Sequence, residues 1–166
     1  MESWIEQLGL QAHPEGGWYR ELYRADESVA ADALPARYGA RRTFGTAIYY
    51  LLDNRTFSAF HRILSDEIWH FYAGDPLTLY VISPAGDIRT EKLGPKPMAG
   101  EQFQLVIPHG HWFAARVEPP GRYALLGCTV SPGFDFADFE LAERAALLEQ
   151  YPQHTNLIRA LTRETA

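Results

Sequence analysis

Acid and base side chains are concentrated in one run of this 166-residue chain, positions 60–74, where they alternate with aromatic residues. If the second half of the run is a β-strand, Glu67 shares a face with Trp69 and Phe71, because successive side chains of a strand point to opposite faces. A carboxyl group between aromatic neighbours is desolvated, which raises its pKa and suits it to general acid or base catalysis. His61 ends the preceding predicted strand, so a hairpin would bring its imidazole beside Glu67.

Other side chains could complete a catalytic site around His61 and Glu67. Tyr49 or Tyr72 could return a proton taken by the first two groups. His70 lies on the opposite strand face from Glu67 and is predicted either to line the pocket or to pack in a dimer interface. The predicted ligand-binding residues, which combine one cation with an amide and with aromatic groups that could equally be core, are Arg20, Trp69, Phe71, Gln104 and Phe113.

Two further features have more modest interpretations. His109 and His111 flank Gly110 in a Pro-x-Gly turn, where they could chelate a metal but are better explained as a solvated turn. Cys128 follows an apolar run without a basic neighbour to lower its pKa, so it is predicted to be a small buried hydrophobic residue.

The opening block of the chain clusters charge beside aromatic residues. One interpretation is an edge strand whose charges prevent aggregation. The alternative is a strand that covers the mouth of a barrel and supplies Arg20 or Arg24 to a carboxylate or phosphate. The block's charged and histidine positions are His13, Glu15, Arg20, Glu21 and Arg24.

Composition limits the class of protein. The net charge is −6, from 15 Lys+Arg and 21 Asp+Glu, and such a surface repels a phosphate backbone, so no nucleic-acid partner is expected. No apolar run approaches the roughly 18–20 residues of a membrane span. The chain starts without the basic and apolar regions of a secretory signal, and one cysteine precludes an internal disulfide. We therefore expect a cytoplasmic protein with no membrane partner.

The elements that must position these residues are mainly strands. Aromatic residues make up 13% of the chain, and turn signals separate its short apolar runs, a pattern typical of an all-β sandwich or barrel. After a first strand at Trp18–Ala25 and a loop at Asp26–Ala40, eight more are predicted at Thr43–Leu52, Thr56–Ile63, Glu67–Ala73, Leu77–Ile82, Asp87–Leu93, Phe103–Ile107, Trp112–Glu118 and Tyr123–Val130.

Helices are predicted only near the two ends. A capping-box spacing at Ser3–Glu6 predicts a short helix that ends near Gly9. Helical spacing predicts two more helices at Glu140–Tyr151 and Thr155–Thr162, packed on the outside of the β domain. The chain is thus predicted to be a single domain, residues 1–166, with a β core at roughly 17–132 and a C-terminal helical segment at roughly 138–163.

The chain resembles the cupins. Their first motif reads His-x-His, three or four residues, Glu, six residues, Gly, and His61, Glu67 and Gly74 match it. Their second motif reads Gly, several residues, Pro-x-Gly-x-x-His, and Gly100, Pro108 and Gly110 match its frame. Five ordered blocks are similar to one family of small, largely uncharacterised cupins: His13–Arg24, Thr43–Leu52, Phe60–Gly74, Pro108–Ala115 and Gly127–Leu141.

The resemblance implies a double-stranded β-helix, the cupin jelly roll, with a ligand cavity in its mouth and a homodimer formed through an N-terminal strand. It implies no particular reaction, because function on a shared fold depends on the site. A standard cupin metal centre uses three histidines and one glutamate, but Ile63 and Phe113 stand at two of those four positions. We therefore expect no cofactor; a divalent metal, if one binds, would use His61 and Glu67.

Three functions remain open at this point. The leading hypothesis is a metal-independent isomerase or epimerase acting on a sugar or nucleotide-sugar, since a His and a Glu in an aromatic cavity suit proton abstraction next to a carbonyl. Metal-free sugar-nucleotide epimerases are jelly rolls of this kind. The second is a non-catalytic module that binds a nucleotide, sugar or carboxylate, and the third a metal-dependent enzyme with a reduced ligand set.

Overall fold

The computed structural model describes residues 2–164, and Met1, Thr165 and Ala166 of the predicted domain lie outside the described residues. Strands dominate, as the aromatic and β-branched runs predict. In chain order the helices and strands are α1 (Glu2–Leu8), β1 (Gln11–Ala12), β2 (Trp18–Arg24), β3 (Ser28–Val29), β4 (Arg42–Thr43), β5 (Thr46–Asp53), β6 (Ser58–Arg62), β7 (Asp66–Gly74), β8 (Leu77–Ile82), β9 (Ile88–Leu93), β10 (Glu101–Gln102), β11 (Gln104–Ile107), β12 (Trp112–Val117), β13 (Tyr123–Ser131), β14 (Glu140–Leu141), α2 (Arg144–Gln150) and α3 (Thr155–Ala160).

The long strands form two six-stranded sheets. The first has the order β1-β2-β5-β13-β7-β11 and the second β10-β9-β8-β12-β6-β14, while β3 and β4 pair separately. Neighbours in each sheet are antiparallel except β9 and β10. Strands that are adjacent in the chain therefore often lie in different sheets: β5 and β7 belong to the first sheet, and β6 between them to the second. This is the jelly-roll architecture that the resemblance to the cupins implies, and it agrees with the all-β sandwich or barrel predicted from the strand pattern.

The main core lies between the two sheets. Side chains of alternate positions point inward from both, as the period of two requires. Tyr50, Trp69 and Leu126 from the first sheet and Leu79 and Phe113 from the second belong to this buried cluster. The register pairs Cys128 with Trp69 and Val130 with Glu67 across β13 and β7. Glu67 is thereby set on the inward face.

The outer face of the second sheet is covered by the C-terminal helices. Leu147 of α2 and Ile158 of α3 pack with Phe60 and Trp112 in a second buried cluster. The predicted helical pair on the outside of the β domain is therefore correct. Its first helix is shorter than predicted, however, because Glu140–Leu141 form β14 against β6 and the helix begins at Arg144.

Helix α1 lies against the outer face of the first sheet. Its residues Trp4, Ile5 and Leu8 pack on a third cluster centred on Leu51 and Leu125. The helix ends before Gly9, whose φ of +60° suits the position after a helix. The predicted capping role of Ser3 is wrong, since α1 already includes Glu2, and the Ser3 hydroxyl instead accepts a hydrogen bond from the Gln7 side chain.

The predicted strands are recovered, with no end displaced by more than three residues. The loop predicted at Asp26–Ala40 also contains β3 and a 3-10 turn at Ala31–Ala33. Within residues 2–164, none of the helices combines the length and the apolar character that crossing a membrane requires.

Candidate functional site

A cavity of about 280 Å³ opens at one end of the space between the sheets. The strand ends around it belong to β2, β5, β7 and β13, where Arg24, Thr46, Glu67 and Val130 lie. Its polar side chains are Gln11, His13, Glu15, Glu21, Arg24, Thr46, His61 and Glu67, and its aromatic ones are Tyr19, Tyr50, Phe134, Phe136 and Phe139. Both residues of the predicted acid–base pair therefore line one cavity.

His61 is held by two acceptors at the wall of this cavity. Its Nδ1 lies 2.7 Å from the carbonyl oxygen of Ala59, and its Nε2 lies 2.9 Å from Oε2 of Glu15. A carbonyl oxygen and an ionised carboxylate can only accept, so both ring nitrogens carry a hydrogen. Burial lowers the pKa of His61, but Glu15 outweighs it and the net shift is upward. His61 is thus a fixed imidazolium.

Glu15 is the buried counter-ion of His61. Its carboxylate also accepts a hydrogen bond from the Ser58 hydroxyl at 2.9 Å, and its side chain is 7% exposed. Burial raises its pKa, but His61, His13 and Ser58 together bring the value down to about 2. Because Glu15 and His61 are both buried, the removal of either partner would leave an uncompensated buried charge.

The loop that presents Glu15 is fixed at its backbone. The carbonyl of Glu15 accepts hydrogen bonds from the amide of Ala59 at 2.9 Å and from the Arg163 guanidinium at 3.1 Å. Gly16 follows with a φ of +120°, and a Cβ there would lie 2.1 Å from the carbonyl oxygen of Phe57. Only glycine fits this close approach, so Gly16 is part of how the chain brings Glu15 into the cavity.

Glu67 is the carboxyl group of the cavity lining that has no ion-pair partner among residues 2–164. The residue is 8% exposed. Burial raises its pKa, His61 opposes this and Glu15 adds to it, with a result of about 7. The Trp69 indole and the Cys128 thiol also lower its pKa. The Trp69 Nε1 nevertheless has no acceptor within hydrogen-bonding distance in the described chain. Glu67 therefore exchanges its proton near neutral pH.

His13 is a neutral neighbour of this pair. Burial is the main cause that lowers its pKa. Its Nδ1 accepts a hydrogen bond from the amide of Glu15 at 3.3 Å, so the ring hydrogen is on Nε2. His13 contacts Tyr19 edge-on at a centroid distance of 4.6 Å and lies nearly parallel to Phe136 at 6.1 Å. It is a hydrogen-bond donor set in an aromatic wall.

The segment after β13 closes one side of the cavity with three aromatic residues, Phe134, Phe136 and Phe139. It is anchored by a buried bidentate ion pair between Arg42 and Asp138, with Nε of Arg42 2.6 Å from Oδ2 of Asp138. The amide of Phe134 also donates to the Thr46 hydroxyl at 2.9 Å. The loop after β13 thus forms an aromatic wall of the cavity, and the Arg42–Asp138 ion pair attaches this loop to β4.

Two of the predicted catalytic residues do not line the cavity. His70 lies on the outer face of β7, where its Nε2 is 2.8 Å from the Thr129 hydroxyl. Tyr49 lies on the outer face of β5, edge-on to Tyr72 at 6.0 Å. The period of two places Tyr50 rather than Tyr49 on the inward side, and the Tyr50 hydroxyl donates to the carbonyl of Gly16 at 2.8 Å.

The predicted ligand-binding residues also lie outside the cavity lining. Arg20 and Gln104 are exposed, since both point away from the space between the sheets. Trp69, Phe71 and Phe113 belong to the core or pack against it. Phe113 supports the site indirectly, because its ring contacts that of His61 at a centroid distance of 4.0 Å. The arginine that reaches the cavity is Arg24, bound to Glu21 through two hydrogen bonds.

The more modest interpretations of the remaining candidates agree with their placement. His109 is exposed and pairs with Asp66 at 2.9 Å, and the Nδ1 of His111 is 3.2 Å from the carbonyl of His109. Neither residue reaches the cavity. Cys128 is 3% exposed on the inward face of β13, where burial is the main cause that raises the pKa of its thiol.

Several site residues were not assigned a role by sequence reasoning. In the sequence, Glu15 and His13 belong to the charged opening block without a role of their own, although the glycines that follow Glu15 indicate a backbone in close contact. Phe134, Phe136 and Phe139 fall after the last predicted strand, where no strand or helix period was evident. Three phenylalanines within six positions of an otherwise irregular segment were the available signal, since loops rarely expose so much apolar surface without covering something.

The two mainly antiparallel sheets, with a polar and aromatic cavity at one end, define a cupin-type jelly roll. The chain belongs to the cupin family described as Cupin superfamily (DUF985), whose family model matches residues 2–142.

Relatives of known structure cover nearly the whole chain. Protein SO0799 from Shewanella oneidensis is 40% identical, with a TM-score of 0.88, over 99% of this chain and 98% of that one. A hypothetical protein from Leishmania major is 37% identical, with a TM-score of 0.90, over 98% of both chains. An uncharacterized protein of Saccharomyces cerevisiae is 28% identical over 83% of this chain and 73% of its own length.

A more distant similarity is limited to the fold. Oxalate decarboxylase from Bacillus subtilis matches 93% of this chain with 37% of its own, at 13% identity and a TM-score of 0.56. That enzyme has Mn(II) centres.

The side chains of the present cavity do not fit a four-ligand metal centre. Ile63 and Phe113, both buried, stand at two of the four motif positions. Both nitrogens of His61 are already committed to Ala59 and Glu15. Over residues 2–164 no group of three or more His, Cys, Asp or Glu side chains is arranged to hold a metal ion. A standard cupin metal centre is therefore not formed at the motif positions, and the third functional hypothesis, a metal enzyme with a reduced ligand set, stays a hypothesis.

Proposed function

We propose that this chain is a metal-independent enzyme that moves a proton at a carbon next to a carbonyl, in the class of isomerases and epimerases. Its substrate is a small organic molecule that enters the cavity between the sheets, with sugars and nucleotide-sugars as the class predicted from the sequence. One observation carries the proposal. Glu67, a cavity-lining carboxyl group without a counter-ion of its own in the described chain, has a pKa of about 7, which is where a general acid–base catalyst is most effective.

The roles of the two motif residues differ. Glu67 takes the proton from carbon and returns it, because its carboxyl group changes charge near neutral pH. His61 cannot act as a base, because both of its nitrogens are already protonated and hydrogen-bonded. It instead stabilises the ionised form of Glu67. His13 offers its Nε2–H to the carbonyl oxygen on which negative charge develops.

This assignment predicts a simple pH dependence. Glu67 is active as a base only when ionised, so turnover by the free enzyme rises as the pH passes through about 7. Glu15, whose pKa is about 2, does not titrate in that range.

The test is hydrogen exchange into candidate substrates in deuterium oxide. Sugar phosphates, nucleotide-sugars and 2-oxo acids are incubated with the protein, and the deuterium gained at carbon is measured by mass spectrometry and NMR. We expect exchange with at least one class, and its loss in Glu67→Gln. Glu91→Gln, a substitution on β9 away from the cavity, is the matched control and should keep the activity. Exchange that persists at the wild-type rate in Glu67→Gln contradicts the assignment.

A second candidate function is supported by the fixed state of His61. A site with one acid–base group instead of two is suited to a protein that binds a small molecule without converting it. The aromatic walls fit such a binding module as well as they fit an enzyme. A ligand that binds in the cavity and is recovered without deuterium and without rearrangement favours the binding module over the enzyme.

A further inference from the structure

Aromatic side chains form a large part of the cavity walls. Five rings line it, and with His13 they meet one another edge-on or stacked: Tyr19, Tyr50, Phe134, Phe136 and Phe139. The face of an aromatic ring carries partial negative charge and attracts organic cations, above all those that are weakly hydrated. Such walls favour a ligand group that is positively charged yet bulky.

The charges inside the cavity also favour a positively charged ligand group. Its lining holds three carboxyl groups, Glu15, Glu21 and Glu67, against the two cations Arg24 and His61. Each cation is already matched, Arg24 by Glu21 at 2.7 Å and His61 by Glu15 at 2.9 Å. Glu67 is the carboxyl group left over. A ligand anion in the cavity would meet this excess of carboxyl groups with no unmatched cation in the described lining, whereas a ligand cation would complete the charge balance.

From these two observations we propose that the cavity binds a ligand bearing an organic ammonium group, held against the aromatic walls and balanced by the carboxylate of Glu67. Ammonium compounds are the ligand class that aromatic cages recognise by charge and shape together. The binding claim stands without catalysis. Its catalytic consequence rests on the function proposed above: the substrate would then carry both a carbonyl and an amine, as amino sugars and amino ketones do.

The ammonium group would also place Glu67 in its working state. Near pH 7 about half of the Glu67 side chains are protonated in the empty cavity. A cation beside this group favours the carboxylate, so binding releases a proton. The titratable groups around Glu67 are His61, Glu15 and Cys128. A ligand cation lowers the pKa of each of these groups as well, so the loss of proton release in Glu67→Gln is the result that assigns the released proton to Glu67.

The experiment uses three probes of nearly the same shape that differ in charge: choline, 3,3-dimethyl-1-butanol and 3,3-dimethylbutyrate. Each is titrated into the full-length protein at pH 7 by isothermal calorimetry, in two buffers of different ionisation enthalpy, so that protons released on binding are counted. We expect choline to bind at least about threefold more tightly than the neutral alcohol, with release of about half a proton, and the anionic acid to bind most weakly.

Two variants connect this preference to the named residues. Glu67→Gln keeps the shape of the side chain, and it should abolish both the proton release and most of the preference for choline. Phe136→Leu removes one ring at a half-exposed position, where the fold should survive, and it should weaken choline binding about threefold to tenfold without a similar effect on the alcohol. Phe44→Leu, an exposed aromatic residue outside the cavity lining, is the matched control and should change neither.

The outcomes separate this inference from the proposed enzyme. Equal or tighter binding of the neutral alcohol or of the acid overturns the ammonium proposal, as does the absence of binding by all three probes. None of those results bears on deuterium exchange into neutral carbonyl compounds. Conversely, choline binding with proton release that depends on Glu67, in a protein that exchanges no carbon-bound hydrogen, supports the ligand class and contradicts the enzyme.

Discussion

The carboxyl group of Glu67 has a pKa of about 7 in the folded chain and an ordinary value of 4.5. Between pH 4.5 and about 7 the Glu67 carboxyl group is therefore protonated in the folded state and ionised in the unfolded chain. Stability falls wherever the folded state binds more protons than the unfolded state and the pH rises. One pKa unit corresponds to about 1.4 kcal/mol, so ionising the buried Glu67 carboxyl group costs about 3 kcal/mol of folding free energy above neutral pH.

Glu67→Gln should consequently stabilise the protein in a pH-dependent way. The amide cannot ionise, so the variant avoids the cost of a buried carboxylate. We expect its free energy of unfolding to match that of the wild type near pH 4.5 and to exceed it by about 2–3 kcal/mol near pH 8. Urea unfolding at both pH values measures this difference. A variant that is less stable at pH 8 would contradict the proposed burial cost.

Glu15 and His61 have the opposite relation to pH. Because the pKa of Glu15 is lowered, its carboxylate stabilises the fold fully above pH 4.5, and this stabilisation is lost as the pH falls toward about 2. Because the pKa of His61 is raised, its imidazolium stabilises the fold fully below pH 6.5, and this stabilisation is lost as the pH rises through the pKa of His61 in the folded state. The contribution of the pair is thus largest between these two limits.

Breaking this pair from one side should be costly. Glu15→Gln leaves the imidazolium without its counter-ion, which for a buried pair costs about 3–5 kcal/mol. His61→Gln leaves the carboxylate, and the double substitution should cost less than the sum of the two. A double-mutant cycle by urea unfolding at pH 6 gives the coupling energy. Additive effects would mean that the two groups do not interact.

At the scale of elements, the decisive piece is the segment after β13. It has no regular period, yet it supplies three aromatic residues of the cavity wall. Among residues 132–164, two ion pairs tie the chain after β13 back to the sheets. The Arg42–Asp138 pair is buried, whereas the Arg62–Glu140 pair is 37% and 54% exposed. Burial determines their relative importance, since exposed pairs contribute about 1 kcal/mol or less.

Asp138→Asn should loosen this segment selectively. The substitution leaves the Arg42 guanidinium buried without its full counter-charge. We expect faster amide hydrogen exchange at residues 134–139, little change in β5 and β13, and weaker ligand binding. Glu140→Gln is the matched control and should leave exchange in the segment nearly unchanged. Equal effects of the two substitutions would show that the buried pair has no special role.

At the scale of the whole molecule, β6 connects the site to the C-terminal helices. His61 points into the cavity, and its neighbour Phe60 packs outward against Ile158 and Leu161. The amide of Phe60 donates to the carbonyl of Leu161 at 2.9 Å. The helices therefore fix the strand that carries the imidazolium, although they contribute no side chain to the cavity lining.

Ile158→Ala tests this support. The side chain is fully buried, so its truncation should destabilise the protein by about 2–5 kcal/mol through lost burial and the cavity left behind. Chemical unfolding measures the loss. Met98→Ala, at a fully exposed position, should cost little. Ile158→Ala with wild-type stability would mean that the helices pack only loosely on the sheet.

The sequence by itself determined the fold and the position of Glu67, the proposed acid–base group. Period-two alternation separated Glu67 from His70, and motif spacing brought His61 and Glu67 to one barrel, because local pattern and inward face are linked by the geometry of a strand. The sequence also shows Ile63 and Phe113 at two positions where cupins have metal-binding histidines, and these two residues already argue against a standard metal centre.

Only the tertiary structure decided the partners of these groups. Glu15 lies 46 positions before His61 in the sequence, and no spacing rule connects them; a loop fixed by Gly16 and by the Ala59 amide brings them to 2.9 Å. That contact commits both nitrogens of His61 and leaves Glu67 as the group that exchanges a proton. The choice of Tyr50 over Tyr49 and of Arg24 over Arg20 likewise depends on strand register and on a bulge between Glu21 and Tyr23, which are set by packing across the two sheets.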